Sequence, residues 1–226
     1  MTDLTANRQQ VLNKIQNICL DCKRSAQSVS LLAVSKMQPA GAIRTLFEAG
    51  QRIFAENYLQ EALAKQADLS DLAIEWHFIG QIQRNKTRDI AAHFSWVHGV
   101  DRLIIAERFS QHIGDANLPR LNILIQVNID HEDSKGGCLP DALHELVAQI
   151  SALPNIALRG LMVIPAPDHQ DAFTRTQALF ETVRHHHAHP ADWDCLSMGM
   201  SGDFDEAIRA GSTMVRVGTA LFGARG

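Results

Sequence analysis

No window of this 226-residue chain holds the run of about 20 apolar residues that a bilayer-spanning helix needs, which excludes a helical membrane protein. Positive charge is not in excess either: 21 lysines and arginines against 25 acids leave a net charge of -4, with a pI near 6.2. That balance argues against nucleic acid as a main partner, and the basic stretch Arg84, Lys86, Arg88 reads as a solvated helix face. The first residues hold no apolar signal region, so a cytoplasmic location is expected. Cysteine is scarce, with four residues. Cys19 and Cys22 form a C-x-x-C pair, but Cys138 and Cys195 stand alone, so no second pair completes a zinc site. His185, His186, His187 and His189 crowd together without an acidic ligand; His185 and His189 share a face at i, i+4 in a helix, which allows adventitious metal binding and no more. Tyrosine occurs once, at Tyr58. No linker or low-complexity stretch divides the chain, so a single domain over residues 1–226 is expected.

What the chain does have is alternation. An amphipathic stretch over residues 3–25 carries Leu4, Val11, Ile15 and Ile18 at helical spacing. Eight short strand-like runs follow, at 30–35, 52–55, 74–79, 95–99, 121–129, 157–164, 194–198 and 213–217. Between them lie helical patterns such as Pro39–Ala49, Tyr58–Ala67, Arg102–His112, Pro140–Leu153, Asp171–His187 and Asp203–Ala210. Short buried strands alternating with helices imply parallel pairing through right-handed crossovers. Eight such units predict an α/β fold, a single-domain (β/α)8 TIM barrel with an extra N-terminal helix; a doubly wound open sheet is the alternative. Too little chain follows the eighth strand for a full covering helix, and the N-terminal helix is expected to cover that seam.

Chemistry in such barrels sits at the carboxyl ends of the strands. Those ends supply Lys36, Asn57, His77 and Gln81, His98, Asn128, Ser197 and Ser201, and Arg216 and Thr219. Lys36 is the most informative. It closes Ser-Leu-Leu-Ala-Val-Ser-Lys, and Met37-Gln38-Pro39 then breaks the strand. An amine aimed into a pocket from a buried strand loses its proton more easily than a surface one and becomes a carbonyl-reactive nucleophile. The plainer alternative is a lysine that snorkels to water at a strand end.

After strand 7 the chain reads Ser197-Met198-Gly199-Met200-Ser201-Gly202-Asp203, and after strand 8 Arg216-Val217-Gly218-Thr219-Ala220. These are the two loops with which barrels often seat a phosphate. Their glycines admit close backbone approach, and free N–H groups with a helix start attract an anion. Taken singly, either loop reads equally as a turn with a capping Ser201 or Asp203. Taken together, opposite Lys36, they suggest a ligand with an aldehyde at one end and a phosphate at the other, which pyridoxal 5′-phosphate (PLP) satisfies. Arg216 then gains a role. An arginine beside the pyridine nitrogen cannot accept a proton, so that nitrogen stays unprotonated and the ring is a weaker electron sink. A structural ion pair at the barrel rim is the competing explanation.

The motifs resemble those of the pyridoxal phosphate homeostasis proteins across nearly the whole chain: LLAVSK at 31–36, FAENYLQEAL at 54–63, IEWHFIGQIQRNK at 74–86, LIQVNI at 124–129, GLMVIP at 160–165, LSMGMSGDFDEAI at 196–208 and MVRVGTALFG at 214–223. The resemblance implies a single-domain counterpart of the PLP-binding barrel of alanine racemase. It implies a carrier without an established reaction that keeps free PLP low and supplies it to PLP-dependent apo-enzymes by transient contact. The chain reads as the barrel alone, without a second domain, so a monomer is expected. Lys36 would form a Schiff base with the cofactor and Arg216 would face its pyridine nitrogen. Ser201, Gly202, Gly218 and Thr219 would hold the phosphate, Asn57 and His77 would line the ring, and Ser197 and Met200 would make further contacts. The chain departs from the family pattern at Gln81-Ile82 and at Ser134–Gly137, in the loops after strands 3 and 5. The alternative is a PLP-dependent amino-acid racemase-like enzyme, which needs a second acid/base opposite the lysine; Tyr58, within the barrel, does not supply one. A phosphosugar enzyme using Lys36 as an aldolase-like nucleophile explains the lysine and both loops but not Arg216.

Overall fold

The computed structural model describes residues 3–132, 134–167 and 171–223. Its eight strands, β1 (Ser30–Val34), β2 (Ile53–Glu56), β3 (Glu75–Phe78), β4 (Trp96–Val100), β5 (Leu121–Val127), β6 (Ile156–Val163), β7 (Cys195–Ser197) and β8 (Met214–Val217), lie within two residues of the expected runs at every end. They are parallel, pair in sequence order and close by β1 pairing with β8, Leu32 opposite Arg216. The barrel, and not the open sheet, is the fold.

Side-chain alternation along the strands splits the core in two. Leu31 and Ala33 face outward and pack in the large cluster under the helices, with Ile43, Leu46, Ile105, Phe109 and Val147. Leu32 faces inward and joins Ala55, Leu124, Met162, Cys195 and Met214 in the small cluster that fills the barrel. The same parity carries Val34 and then Lys36 to the inner side, at the carboxyl-terminal mouth.

The helices are α1 (Leu4–Asp21), α2 (Ala40–Glu48), α3 (Leu59–Asp68), α4 (Thr87–His93), α5 (Leu103–Asp115), α6 (Leu143–Ser151), α7 (Ala172–Val183), α8 (Phe204–Arg209) and α9 (Thr219–Phe222). Helix α1 is capped by Asp3, whose side chain accepts from Ala6 N, and buries Val11, Ile15, Ile18 and Cys19. It packs against α2, α8 and the four-residue α9, covering the seam that α9 is too short to close. Arg24, just beyond it, donates to the carbonyls of Ile208 and Ser212 at 2.6 and 2.8 Å and pins that end to the α8–β8 loop.

The histidine cluster lies differently from the expected long helix. Helix α7 stops at Val183, a 3-10 turn takes Arg184–His186, and His187 is extended. Pro190 follows at the start of another short turn, so the segment does not run on as one α-helix and the i, i+4 argument for His185 and His189 does not apply. His187 is instead buried, its Nε2 2.8 Å from Leu158 O. Cys19 sits inside the α1 packing face, and burial raises its thiol pKa. Among the described residues no helix is long and apolar enough to cross a membrane.

Candidate functional site

A cavity of about 260 Å³ opens at the carboxyl ends of the strands. Lys36, Asn57, Met200, Ser201, Gly202, Arg216, Gly218 and Thr219, eight of the ten residues expected to bind a ligand, line it. Gln38, Ile79, Ile164 and Phe222 line it too. Sequence reasoning passed over Gln38 because Met37-Gln38-Pro39 was read only as a strand break, and over Phe222 because it lies in α9 beyond the strand end; Ile79 and Ile164 follow strand ends, which were read for polar residues alone.

The backbone around Lys36 is clamped from below. Ser35 Oγ donates to Glu56 Oε1 at 2.6 Å, and Lys65 Nζ donates to both Glu56 Oε1 and Ser35 O at 2.8 and 2.7 Å. Lys65 also reaches Glu61, whose carboxylate accepts from Met37 N, with both distances 2.5 Å. The residues on each side of Lys36 are therefore held by one ionic cluster. Met37 sits in the left-handed region at φ 62°, and Gln38 N closes the turn onto Ser35 O at 3.0 Å. Burial raises the pKa of Glu56, while the hydrogen bonds from Lys65 and Ser35 oppose the rise.

On β8, the strand next to β1, Arg216 is 4% exposed. Its Nη1 donates to Ser197 O and Oγ at 2.7 and 2.9 Å, and its Nη2 donates to Val163 O at 2.8 Å, so the ends of β6 and β7 fix the plane of the guanidinium. Burial lowers its pKa to about 10, still high enough to keep the charge at neutral pH. No acid is hydrogen-bonded to it in these contacts, and the rim ion pair is replaced by three carbonyl and hydroxyl acceptors.

The loops after β7 and β8 are knitted together. Ala220 N donates to Ser201 Oγ at 3.2 Å, Met200 N to Asp203 Oδ1 at 2.5 Å, and Arg216 N to Gly199 O at 2.9 Å. Gly199 has φ 93°, and a Cβ there would lie 2.6 Å from Ala207 Cβ and 2.9 Å from Phe204 Cα, so the turn admits only glycine. Gly202 borders open space, and α9 starts at Thr219 without a side-chain cap. Ser201, Gly202, Gly218 and Thr219, the first residue of α9, thus border the same cavity.

His77 and Ser197 do not line the cavity. Both are fully buried, one layer down in the barrel, together with His98. His77 stacks on Trp96 with ring centroids 5.3 Å apart and planes at 11°. Of the remaining strand-end residues, Gln81 faces a neighbouring cavity shared with Asn57 and Tyr58, and Asn128 holds the loop after β5 through Glu132. Asn57 Oδ1 is buried without a hydrogen-bond partner. A buried acceptor without a partner costs stability.

The sequence matches the family model of the alanine racemase N-terminal domain over residues 11–226. A pyridoxal phosphate homeostasis protein of Pseudomonas aeruginosa is 49% identical over 230 residues, spanning 100% of this chain and 97% of the relative. The chain belongs to the pyridoxal phosphate homeostasis protein family. The structure of PipY from Synechococcus elongatus without PLP superposes with a TM-score of 0.83 at 38% identity, covering 92% of this chain and 99% of PipY. PipY with PLP bound superposes at 0.80 and 37%, covering 93% and 100%. An alanine racemase of Clostridium difficile has a TM-score of 0.74 at 13% identity; the match takes in 99% of this chain and 57% of the racemase, and shows a shared barrel.

PipY shares the barrel that carries this site, and the site's residues fit the group with which PipY is known. The cavity offers an amine, a guanidinium, two hydroxyls, a side-chain amide and glycine-lined backbone. An aldehyde, an aromatic nitrogen and a phosphate would each find a partner of suitable chemistry there.

Proposed function

We propose that this chain binds PLP through Lys36 as a Schiff base and serves intracellular PLP homeostasis, as a carrier without turnover of its own. The observation that carries the proposal is the convergence of Lys36, Arg216, Ser201, Gly202, Gly218 and Thr219 on one cavity, whose wall also includes Asn57. PipY, 37% identical, is known with PLP bound, which supports the same ligand here. In that reading Ser201, Gly202, Gly218 and Thr219 hold the phosphate, Asn57 meets a polar substituent of the ring, Met200 covers it, and Arg216 faces the pyridine nitrogen as a donor. Bound PLP supplies a carbonyl for amines and an electron-accepting ring, which an arginine partner leaves only weakly activated.

The ionisable side chains lining the cavity, among the described residues, are Lys36 and Arg216. A two-base racemisation needs a second proton donor opposite the lysine. Tyr58 is 57% exposed and faces the neighbouring cavity, while His77 and His98 are sealed inside the barrel. This supports a carrier over a racemase-like enzyme. The proposal extends to cytoplasmic action, as a monomer, by transient contact with PLP-dependent apo-enzymes.

The test has two arms. PLP-loaded protein, freed of excess cofactor, is mixed with an apo-form of a PLP enzyme and the recovered activity is followed; alanine enantiomers are incubated with the same loaded protein. Reactivation without enantiomer exchange is expected. Sustained exchange that disappears in Lys36→Ala would move the protein to the enzyme class.

A further inference from the structure

A file of polar side chains runs through the barrel from the cavity toward its amino-terminal face. Arg216, in the cavity wall, donates from Nη1 to Ser197 Oγ at 2.9 Å. Ser197 Oγ lies 3.1 Å from His98 Nδ1, and His98 Nε2 lies 2.9 Å from His77 Nδ1. His77 Nε2 lies 2.8 Å from Oε1 of Glu75, the first residue of β3, whose side chain is 44% exposed. Four of the five groups are buried among Leu32, Ala55, Leu124 and Met162. Apolar side chains fill that space in an ordinary barrel, and polar ones are costly there unless every member is paired. Here every member is.

The two ends dictate the direction of each bond. Arg216 only donates, so Ser197 Oγ accepts from it. A Glu75 carboxylate only accepts, so His77 carries its proton on Nε2 and is an acceptor at Nδ1. His98 must then donate from Nε2, which leaves its Nδ1 to accept from the Ser197 hydroxyl. One arrangement satisfies the file: two neutral imidazoles, both protonated on Nε2. Burial, which pushes the pKa of His77 down and that of His98 well below the usual histidine range, favours the same neutral rings. Trp96, stacked on His77 and itself covered by Arg159 at 5.0 Å, holds the ring plane at the outer end.

We infer that Glu75, on the face of the barrel opposite the cavity, is a positioning residue for Arg216: it sets the tautomers of His77 and His98, and through the Ser197 hydroxyl it tunes how the guanidinium meets an aromatic nitrogen in the cavity. The inference rests on the PLP reading of the cavity and adds to it a control point on the far side of the fold.

The experiment compares wild type, Glu75→Ala, Glu75→Gln and Ser197→Ala. PLP affinity and the position of the absorption band are measured by titration, and the ring nitrogens of His77 and His98 are recorded by NMR in ligand-free protein. Wild type is expected to show Nε2–H tautomers for both rings. Glu75→Ala is expected to mix the tautomers, shift the band and weaken PLP about fivefold, the size of one net hydrogen bond. Glu75→Gln, whose amide oxygen still accepts from His77 Nε2, is expected to restore both rings and affinity. Ser197→Ala cuts the file at the other end, keeps the Arg216 bond to the residue 197 carbonyl, and is expected to reproduce the band shift with the tautomers unchanged. Unaltered affinity and band in Glu75→Ala, or charged or mixed-tautomer rings in wild type, would overturn the inference. A wild type that takes up no PLP would instead overturn the cofactor reading, and the ligand-free ring spectra would still decide whether Glu75 sets the tautomers.

Discussion

Arg216 and Lys36 line the same cavity from the neighbouring strands β8 and β1 but owe their positions to different forces. Arg216 is held by three short bonds to the ends of β6 and β7, so its guanidinium is pre-set before any ligand arrives. Replacing it with alanine leaves those acceptors unpaired and removes the donor toward the ligand. Arg216→Ala is expected to weaken PLP at least about tenfold by absorbance titration, and retention of wild-type affinity would remove Arg216 from the site. Lys36 is held through its neighbours, by the Glu56–Lys65–Glu61 cluster acting on Ser35 and Met37. Both residues were legible from position, because a lysine and an arginine at strand ends of a barrel stand out. Glu75 was not: an acid opening a strand looks like any solvated side chain until the parity of β3 puts His77 behind it. His77 and Ser197 were legible as inward-facing strand residues, but their depth was not, since sequence parity gives the side of the sheet and not the layer within the barrel.

At the scale of the element, β1 with its following turn, and β7 with its glycine turn, set the site. Lys65 is nearly buried beside a fully buried Glu56, whose Oε2 has no partner. Lys65→Met would strand that carboxylate, and a loss of about 3 kcal/mol in urea unfolding is expected, as is usual when one partner of a buried ion pair is removed. The turn after β7 fails differently. Gly199→Ala combines a positive φ with a contact of 2.6 Å, so the loop must move, and PLP affinity is expected to fall together with thermal stability. The Lys65 cluster was hidden in the sequence because Glu61 and Lys65 have the i, i+4 spacing of a surface helix pair; only the packing of α3 against β2 buries the lysine beside Glu56.

The barrel closes by β1 pairing with β8, and α1 packs over that side against α2, α8 and α9. The strand runs, the parallel order and this covering role were legible, since each rests on local apolar patterning. The end of α7 was not, because the histidine run continues a helical pattern that Pro190 and the burial of His187 cut short. Ile15 is 3% exposed within α1, and Ile15→Ala is expected to cost about 3 kcal/mol in denaturant unfolding, the typical loss for a large core side chain. The buried histidines make stability depend on pH. With folded pKa values below the unfolded value near 6.5, His77 and His98 stay neutral in the fold while the unfolded chain takes up protons. Their contribution is complete above that value and is lost as pH falls below it, by about 1 kcal/mol per pH unit for each ring while the fold keeps it neutral. Unfolding free energies between pH 7.5 and 5.5 are expected to drop more steeply in wild type than in His98→Asn; equal slopes would contradict neutral burial of that ring.

The most direct measurement of the central claim is borohydride reduction of the PLP-incubated protein, followed by peptide mass analysis. The cavity geometry predicts a visible absorption band that reduction abolishes and a phosphopyridoxyl group on the peptide containing Lys36, absent in Lys36→Ala. A label carried by another lysine, or no label at all, would contradict it.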